Sequence, residues 1–427
     1  MNPRRHRLAA TLLAWLPAIA AAQATYLPPD ELIANALMAQ PEVQAASARA
    51  VAARAEARAL AAGSYEYEAS VIPQRRTTDA SGDYSEWEAQ VGRRIRLPGK
   101  ARLDREIGLH GTTAADLRLD DAEHQAARRL LALWMDWLRT AQVAGETAQQ
   151  QALMTRERDA LARRVQLGDA ARRELDLFEA ERAQLQALAL AAQAAAEAAR
   201  QALAGQFPQI PLPERVPELP DPASLPGGAA PWRALIVERS HEIGIAVEDA
   251  TRQSLVADRA RADRRPDPSV GVRVMNDRGG AERAIGLVLS VPIGYTHRSA
   301  LAASESANAL AMAAEADGMR RMIGQEAWAT VQAAESRLAQ WQAQRVALAA
   351  QTTATRRTRR AWELGETALG EYLLALRSEH QVRLAEAQAR VDALEAGLLV
   401  RVDSHELWHP ELPGESHEHA AAMPRGE

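Results

Sequence analysis

The side chains best suited to chemistry in this chain are histidines. His405, His409, His417 and His419 place four of the ten histidines in the last twenty-three residues. Imidazole ligates Zn, Cu and Ni, so this tail is the candidate metal-binding segment. Pro410 and Pro413 oppose a helix that would converge the four rings, and a floppy tail holds an ion weakly. His241-Glu242 and His405-Glu406 lack the second histidine of the metalloprotease pattern. No nucleophile triad and no Gly-rich phosphate loop is evident. Cysteine is absent, which excludes disulfides, thiolate metal sites, cysteine nucleophiles and a lipid-anchored lipoprotein. The chain reads as a non-enzyme without a cofactor.

The elements that carry these residues are mostly helical. Aromatics are 4% of 427 residues, thin for one large core, whereas Ala, the best helix former, dominates. Thin bundled helices fit better than a thick globule. Residues 1–24 read as a secretory signal: Arg4, Arg5 and Arg7, then a short apolar run from Leu8 to Ala22, then small residues suited to cleavage. Its removal takes three Arg and no acid, shifting the net charge from −5 to −8. That balance opposes a nucleic-acid partner.

Two copies of one programme follow. The first, 25–206, has a helix restarting at Pro41-Glu42-Val43 and a β-hairpin at about 64–97. In that hairpin, Tyr65 to Ile72 and Glu86 to Leu97 alternate apolar with polar around a turn at Thr77 to Ser85. Pro98 ends the second strand, because it has no N–H to donate. A long helix from Ala101 to about Gln166 follows. It carries Leu130, Leu133, Trp134, Trp137 and Leu138 at the spacing of a buried stripe. It turns near Gly168 into a returning helix. Residues 207–231 form a Pro-rich linker. The second copy, 232–402, repeats the order: helix, hairpin at about 268–292 closed by Pro292, long helix from Ser299, tip near Gly365, returning helix. Residues 403–427 form a disordered, histidine-containing tail. Pro41 and His241 lie 200 residues apart, Pro98 and Pro292 194 apart, and Gly168 and Gly365 197 apart. Such ordered matches point to an internal duplication.

Four alternating strands with aromatic residues at their borders (Tyr65, Tyr67, Tyr84, Trp87) have the pattern of a membrane barrel. Four cannot close one, and open edges are not tolerated in hydrocarbon. Strands must be shared between chains: two chains give eight, three give twelve and leave room for a channel.

This plan resembles the TolC family of outer-membrane efflux channels over about residues 28–402. The shared features are the Pro-Glu-Val start, the strand-to-helix prolines Pro98 and Pro292, and the tips Leu167-Gly168 and Leu364-Gly365. Arg96-Leu97-Pro98-Gly99-Lys100 is similar, more narrowly, to the heavy-metal, cobalt–zinc–cadmium (CzcC-like) branch. The resemblance implies a mainly α fold with a small β part, in which long antiparallel helical hairpins and four transmembrane strands per chain close as a homotrimer of twelve strands. It implies a place in the outer membrane of a Gram-negative bacterium, with the helices in the periplasm. Such a channel is a passive exit duct, here for divalent heavy-metal cations. It is fed through a periplasmic adaptor by a proton-driven inner-membrane pump of the resistance-nodulation-division type. By the same resemblance, Leu167, Gly168, Leu364 and Gly365 contact the adaptor, and Glu371 narrows the channel aperture. Leu374 stands where relatives often carry a second acid. The competing reading is a periplasmic coiled-coil or adaptor-type protein of an export system with no channel of its own. It explains the Ala-rich helices and leaves the four alternating strands unexplained.

Overall fold

The computed structural model describes residues 26–79 and 82–408. The expected signal segment lies outside them, as do His409, His417 and His419. Two short helices open the described chain, α1 (Asp30–Met38) and α2 (Pro41–Ala62). A hairpin follows, β1 (Tyr67–Thr78) and β2 (Gly82–Arg94). Next are α3 (Lys100–Leu167) and α4 (Arg172–Gln206). The second half holds α5 (Ala229–Glu238), α6 (His241–Ala262), β3 (Ser269–Asp277), β4 (Glu282–Ser290), α7 (Thr296–Glu363) and α8 (Leu369–Asp403). α3 and α7 are each 68 residues long, and α4 and α8 are each 35. At 1.5 Å per residue, each long helix spans about 100 Å.

The four strands form one antiparallel sheet in the order β1-β2-β3-β4. Its central pairing, β2 with β3, joins the two halves. β1 carries Pro73, which has no N–H to donate and is tolerated on an edge strand. Both hairpins differ in their bounds from the alternation. β1 runs on through Arg75 and Arg76, so the first turn is tighter than expected. β2 stops at Arg94 rather than Leu97: the Ile95 N–H still donates to the Pro268 carbonyl (2.8 Å), but the Leu97 N–H is taken by a side chain. The Leu97 N–H donates to Asp267 Oδ1 (3.0 Å), and the Arg96 guanidinium donates to the carbonyls of Ala61 (2.9 Å) and Ala62 (2.7 Å) at the end of α2.

α3 packs against α2, α4, α6 and α8, and α7 against α5, α6 and α8. The Trp134 and Trp137 stripe is buried as expected. It forms a core with Tyr26, Ile33, Phe207 and Val391. Phe207, Ile210 and Leu219 hold the Pro-rich segment onto this core, so that segment is irregular but anchored, and it ends at Gly228 rather than at residue 231. A second core near the tips joins Met154 and Leu161 of α3, Phe178 of α4 and Tyr372 of α8. The ordered body also extends beyond the expected boundary at 402. Asp403 closes α8, and residues 404–408 fold back, with Ser404 fully buried. Among the described residues, no helix is long and apolar enough to cross a membrane.

Candidate functional site

The sheet presents two unlike faces, because successive side chains point to opposite sides. Ala69, Val91, Val272 and Leu287 lie side by side across the four strands, as do Val71, Ala89, Val274 and Ile285. This apolar face is uncovered: Leu287 is 85% exposed and Ile285 78%. The other face carries Glu68, Ser70, Gln90, Glu88 and Arg273, interrupted by Ile72, Met275 and Val288. Nine-residue strands such as β3 and β4 match the length of a tilted span. Gly92 and Gly271 face each other where β2 and β3 pair. A Cβ on Gly271 would lie 2.8 Å from the Val91 carbonyl oxygen, so the halves approach this closely only with glycine there.

Below the sheet lies a buried charge cluster built by both halves. Lys100, the first residue of α3, donates from Nζ to Asp267 Oδ1 (2.8 Å) and to the Arg265 carbonyl (2.7 Å), and pairs with Asp263 (2.9 Å). Asp104, one turn on, pairs with Arg96 (3.0 Å) and Arg259 (2.6 Å). The Tyr65 hydroxyl donates to Asp267 Oδ2 (2.8 Å), and the Arg96 guanidinium stands over the Tyr65 ring. Tyr65 therefore belongs to this junction rather than to an aromatic girdle. Tyr67 is the tyrosine exposed beside the apolar face. Burial raises the Asp267 carboxyl, but hydrogen bonds from Lys100, the Leu97 N–H and Tyr65 outweigh it and hold the group below its ordinary value. Burial and the Asp267 bond push Tyr65 up to about 12. Arg96 and Lys100 of the pentapeptide thus have a structural partner that the sequence reading missed. The available signal was an acid fixed between Pro266 and Pro268. Pro98 lies within this clamp, between Arg96 and Lys100, two residues before α3 begins. Pro292 lies two residues past β4 and four before α7.

The two tips are built alike. The Gly168 N–H donates to Val165 O and the Asp169 N–H to Arg164 O; the Gly365 N–H donates to Trp362 O and the Glu366 N–H to Ala361 O. Each pair is a Schellman motif with a left-handed glycine, at φ 82° and 77°. Leu167 is 75% exposed, and Leu364 is exposed beside its own glycine. Trp362 stacks on Tyr372 and buttresses the second tip. Glu371 stands exposed in the first turn of α8, where the helix dipole favours an acid. It makes no ion pair among the described residues. Leu374 is exposed one turn on.

The histidines converge elsewhere than expected. His405 does not start a disordered tail: it sits in the turn after α8. Its ring lies 4.6 Å from that of His241, at the start of α6, and 5.1 Å from that of His124 in α3. The His124 and His241 rings are 6.2 Å apart. Asp403 Oδ1 lies 3.6 Å from His124 Nε2 and 3.4 Å from Arg128 Nε. It is buried and accepts no hydrogen bond among the described residues. Burial pushes this carboxyl up to about 7, with Arg128 opposing only in part. The turn is held by Arg239, whose Nη1 donates to Ser404 O (2.6 Å) and pairs with Glu406 (3.0 Å).

No family model matches the chain, and no curated protein matches it in sequence. Solved structures do match it in fold. The outer membrane protein VceC of Vibrio cholerae superposes with a TM-score of 0.71 at 16% identity, over 88% of this chain and 95% of its own. CusC, solved in a study of transmembrane channel formation, gives 0.70 at 14% identity, over 88% and 91%. The outer-membrane channel OprN gives 0.69 at 20% identity, over 89% and 90%. Mostly helical among the described residues, with one four-stranded antiparallel sheet and helices drawn out into two long hairpins, the chain shares the fold of these outer-membrane proteins.

Proposed function

We propose that three copies of this chain close their sheets into one twelve-stranded barrel in the outer membrane of a Gram-negative bacterium. The barrel continues into a periplasmic tunnel of helices, and the two halves of each chain descend from an internal duplication. The observation that carries this reading is the sheet. It has two unpaired edges, one uncovered apolar face and one polar face, and it stands on helices about 100 Å long. Backbone edges cannot stay unpaired in lipid, and β1 of one copy beside β4 of the next removes them. The apolar face then meets lipid, and the Glu68, Ser70 and Gln90 face lines water.

The trimer is a passive duct and catalyses nothing. Its lower end, with Leu167 and Leu364 exposed beside Gly168 and Gly365 at the tips, docks a periplasmic adaptor, and a proton-driven inner-membrane pump supplies the solute. Glu371 narrows the resting aperture. Divalent heavy-metal cations are the proposed solutes, supported by the Arg96–Lys100 pentapeptide. The test is conductance of the purified, detergent-solubilised protein in planar bilayers, with chemical cross-linking alongside. Discrete current steps and a trimeric cross-linked species are expected. A monomer or dimer that never inserts overturns the channel and returns the chain to the periplasmic coiled-coil reading. Metal export is tested by deleting the gene from its host. Raised cellular zinc, cobalt or cadmium is expected, and unchanged metal content overturns that assignment.

A further inference from the structure

The helices below the sheet repeat its order. α2 leads into β1, α3 leaves β2, α6 leads into β3 and α7 leaves β4, and they pack in the row α2-α3-α6-α7. Under the proposed duplication the two halves of this row correspond position by position. α2 and α6 are both 22 residues long and start 200 residues apart. The tip glycines, Gly168 and Gly365, set α3 and α7 in register 197 residues apart. The buried faces agree with that register: Ala126, Leu130 and Trp134 of α3 correspond to Ile323, Ala327 and Val331 of α7, and all six are buried. The groove between α2 and α3 holds Arg49 and Arg118, and its counterpart between α6 and α7 holds Asp249 and Glu315 at the matching positions.

In this register the junction inside the chain specifies one between chains. Arg118 of α3 pairs with Asp249 of α6. Their counterparts are Glu315 of α7 and Arg49 of α2, so both charges are reversed. Glu315 and Arg49 are exposed, and neither makes an ion pair among the described residues. Neighbouring positions change as well. Within the chain Asp104 pairs with Arg259, and Gln125 meets Glu242 (3.5 Å). The α7 counterparts of Asp104 and Gln125 are Leu301 and Met322, which are 46% and 53% exposed, and the α2 counterpart of Arg259 is the small Ala59.

We propose that Glu315 of one copy pairs with Arg49 of the next, and that this pair, with Leu301 and Met322 covered beside it, joins α7 to α2 between chains. The pairing rests on the three-copy barrel: β1 of one copy beside β4 of the next brings the helices that flank them, α2 and α7, side by side. The reversed polarity decides which helices meet. α3 against α2 of another copy would bring Arg118 to Arg49, and α7 against α6 of another copy would bring Glu315 to Asp249. Like charges repel in both wrong pairings and opposite charges attract in both right ones, which is how a pair of junctions with similar shape is told apart. An exposed ion pair adds little stability, so its use is to fix the order in which helices follow one another around the ring.

The test places Arg49→Cys and Glu315→Cys together in the full-length, detergent-solubilised protein. The chain has no cysteine of its own, so a short bifunctional thiol reagent can act only at these two positions. Covalent bands up to the mass of three chains are expected from the double variant, and single-chain bands alone from each single variant. Amine cross-linking of the same samples reports assembly independently. A trimer trapped through its amines without the thiol-linked bands overturns the pairing and leaves the three-copy ring standing. No trimer by either chemistry, in wild type or variant, overturns both. The charges are read separately. Arg49→Glu and Glu315→Arg should each lower trimer yield, more so at low salt, where repulsion between exposed like charges is screened least. The two substitutions together restore opposite signs and should restore the yield. A combined variant that assembles no better than either single one overturns the proposal.

Discussion

Replacing Lys100 by Met tests whether the junction under the sheet holds the two halves of the chain together. The Lys100 side chain is 3% exposed and the Asp267 side chain 8%, so the pair is screened little by water. Removing one member of a buried ion pair leaves the other charge uncompensated, at a cost of about 3–5 kcal/mol. Asp267 keeps its bonds from the Leu97 N–H and Tyr65, which puts Lys100→Met near about 3 kcal/mol. Asp267→Leu strands Lys100 beside the half-exposed Asp263 and should cost at least as much. The double variant exposes no lone charge, so it should be more stable than the sum of the singles by about 2 kcal/mol or more. The assay is guanidinium unfolding of the detergent-solubilised protein, followed by far-UV circular dichroism at one fixed protein concentration. Single effects that add within about 0.5 kcal/mol would refute the clamp. A pH series gives a second reading of the same group. The Asp267 carboxyl is held below its ordinary value of 3.8. Its contribution is therefore complete above that value and is lost as the pH falls through the lower, folded-state value. Asp267→Asn should flatten the acid limb of the stability curve, leaving neutral-pH variation unchanged in shape.

Three further outcomes follow from the proposed channel. Leu287→Arg puts a charge on the uncovered apolar face and should cost about 2–4 kcal/mol if the position lies at the bilayer midplane. Reduced trimer yield in the membrane fraction would report it, and wild-type yield would argue that this face never meets lipid. Glu371→Ala should raise the open probability of single channels without changing trimer yield; unchanged gating removes Glu371 from the aperture. Gly168→Ala and Gly365→Ala force a Cβ into the left-handed region at about 1 kcal/mol or more. Each should weaken capture of the cognate adaptor while conductance persists, and undiminished capture would mean the tips do not dock it.

Much of this fold can be read from the sequence because its signals are local. Alternation of Val91 with Gln90 and of Leu287 with Gly286 marks strands within a few residues. A glycine following a long run without proline marks each tip, and the apolar spacing around Trp134 and Trp137 marks a buried stripe. Features that depend on distant pairs were not legible. The contact between Lys100 and Asp267 spans 167 residues, and no periodicity links them. The histidines show the limit most clearly. Clustering along the chain drew attention to His405 with His409, His417 and His419, whereas the fold gathers His405 with His124 and His241 from two other helices. Strand ends were misplaced for a related reason: Arg94 to Leu97 continue the alternation, but the Leu97 N–H goes to the Asp267 carboxylate instead of a strand partner, and the Arg96 side chain goes to carbonyls at the end of α2.

The matched helix lengths make the molecule a gauge. With 68 residues descending and 35 returning in each half, both tips sit at the same distance from the sheet. One inserted residue in a single helix would turn everything below it by about 100° and advance it about 1.5 Å, spoiling both level and facing. Length can therefore change only in concert. A seven-residue block, close to two full turns, added to all four helices would lower both tips together by about 10 Å with little rotation. Chains of this plan that serve envelopes of different depth should differ in such four-fold steps, with the sheet and its clamp left alone.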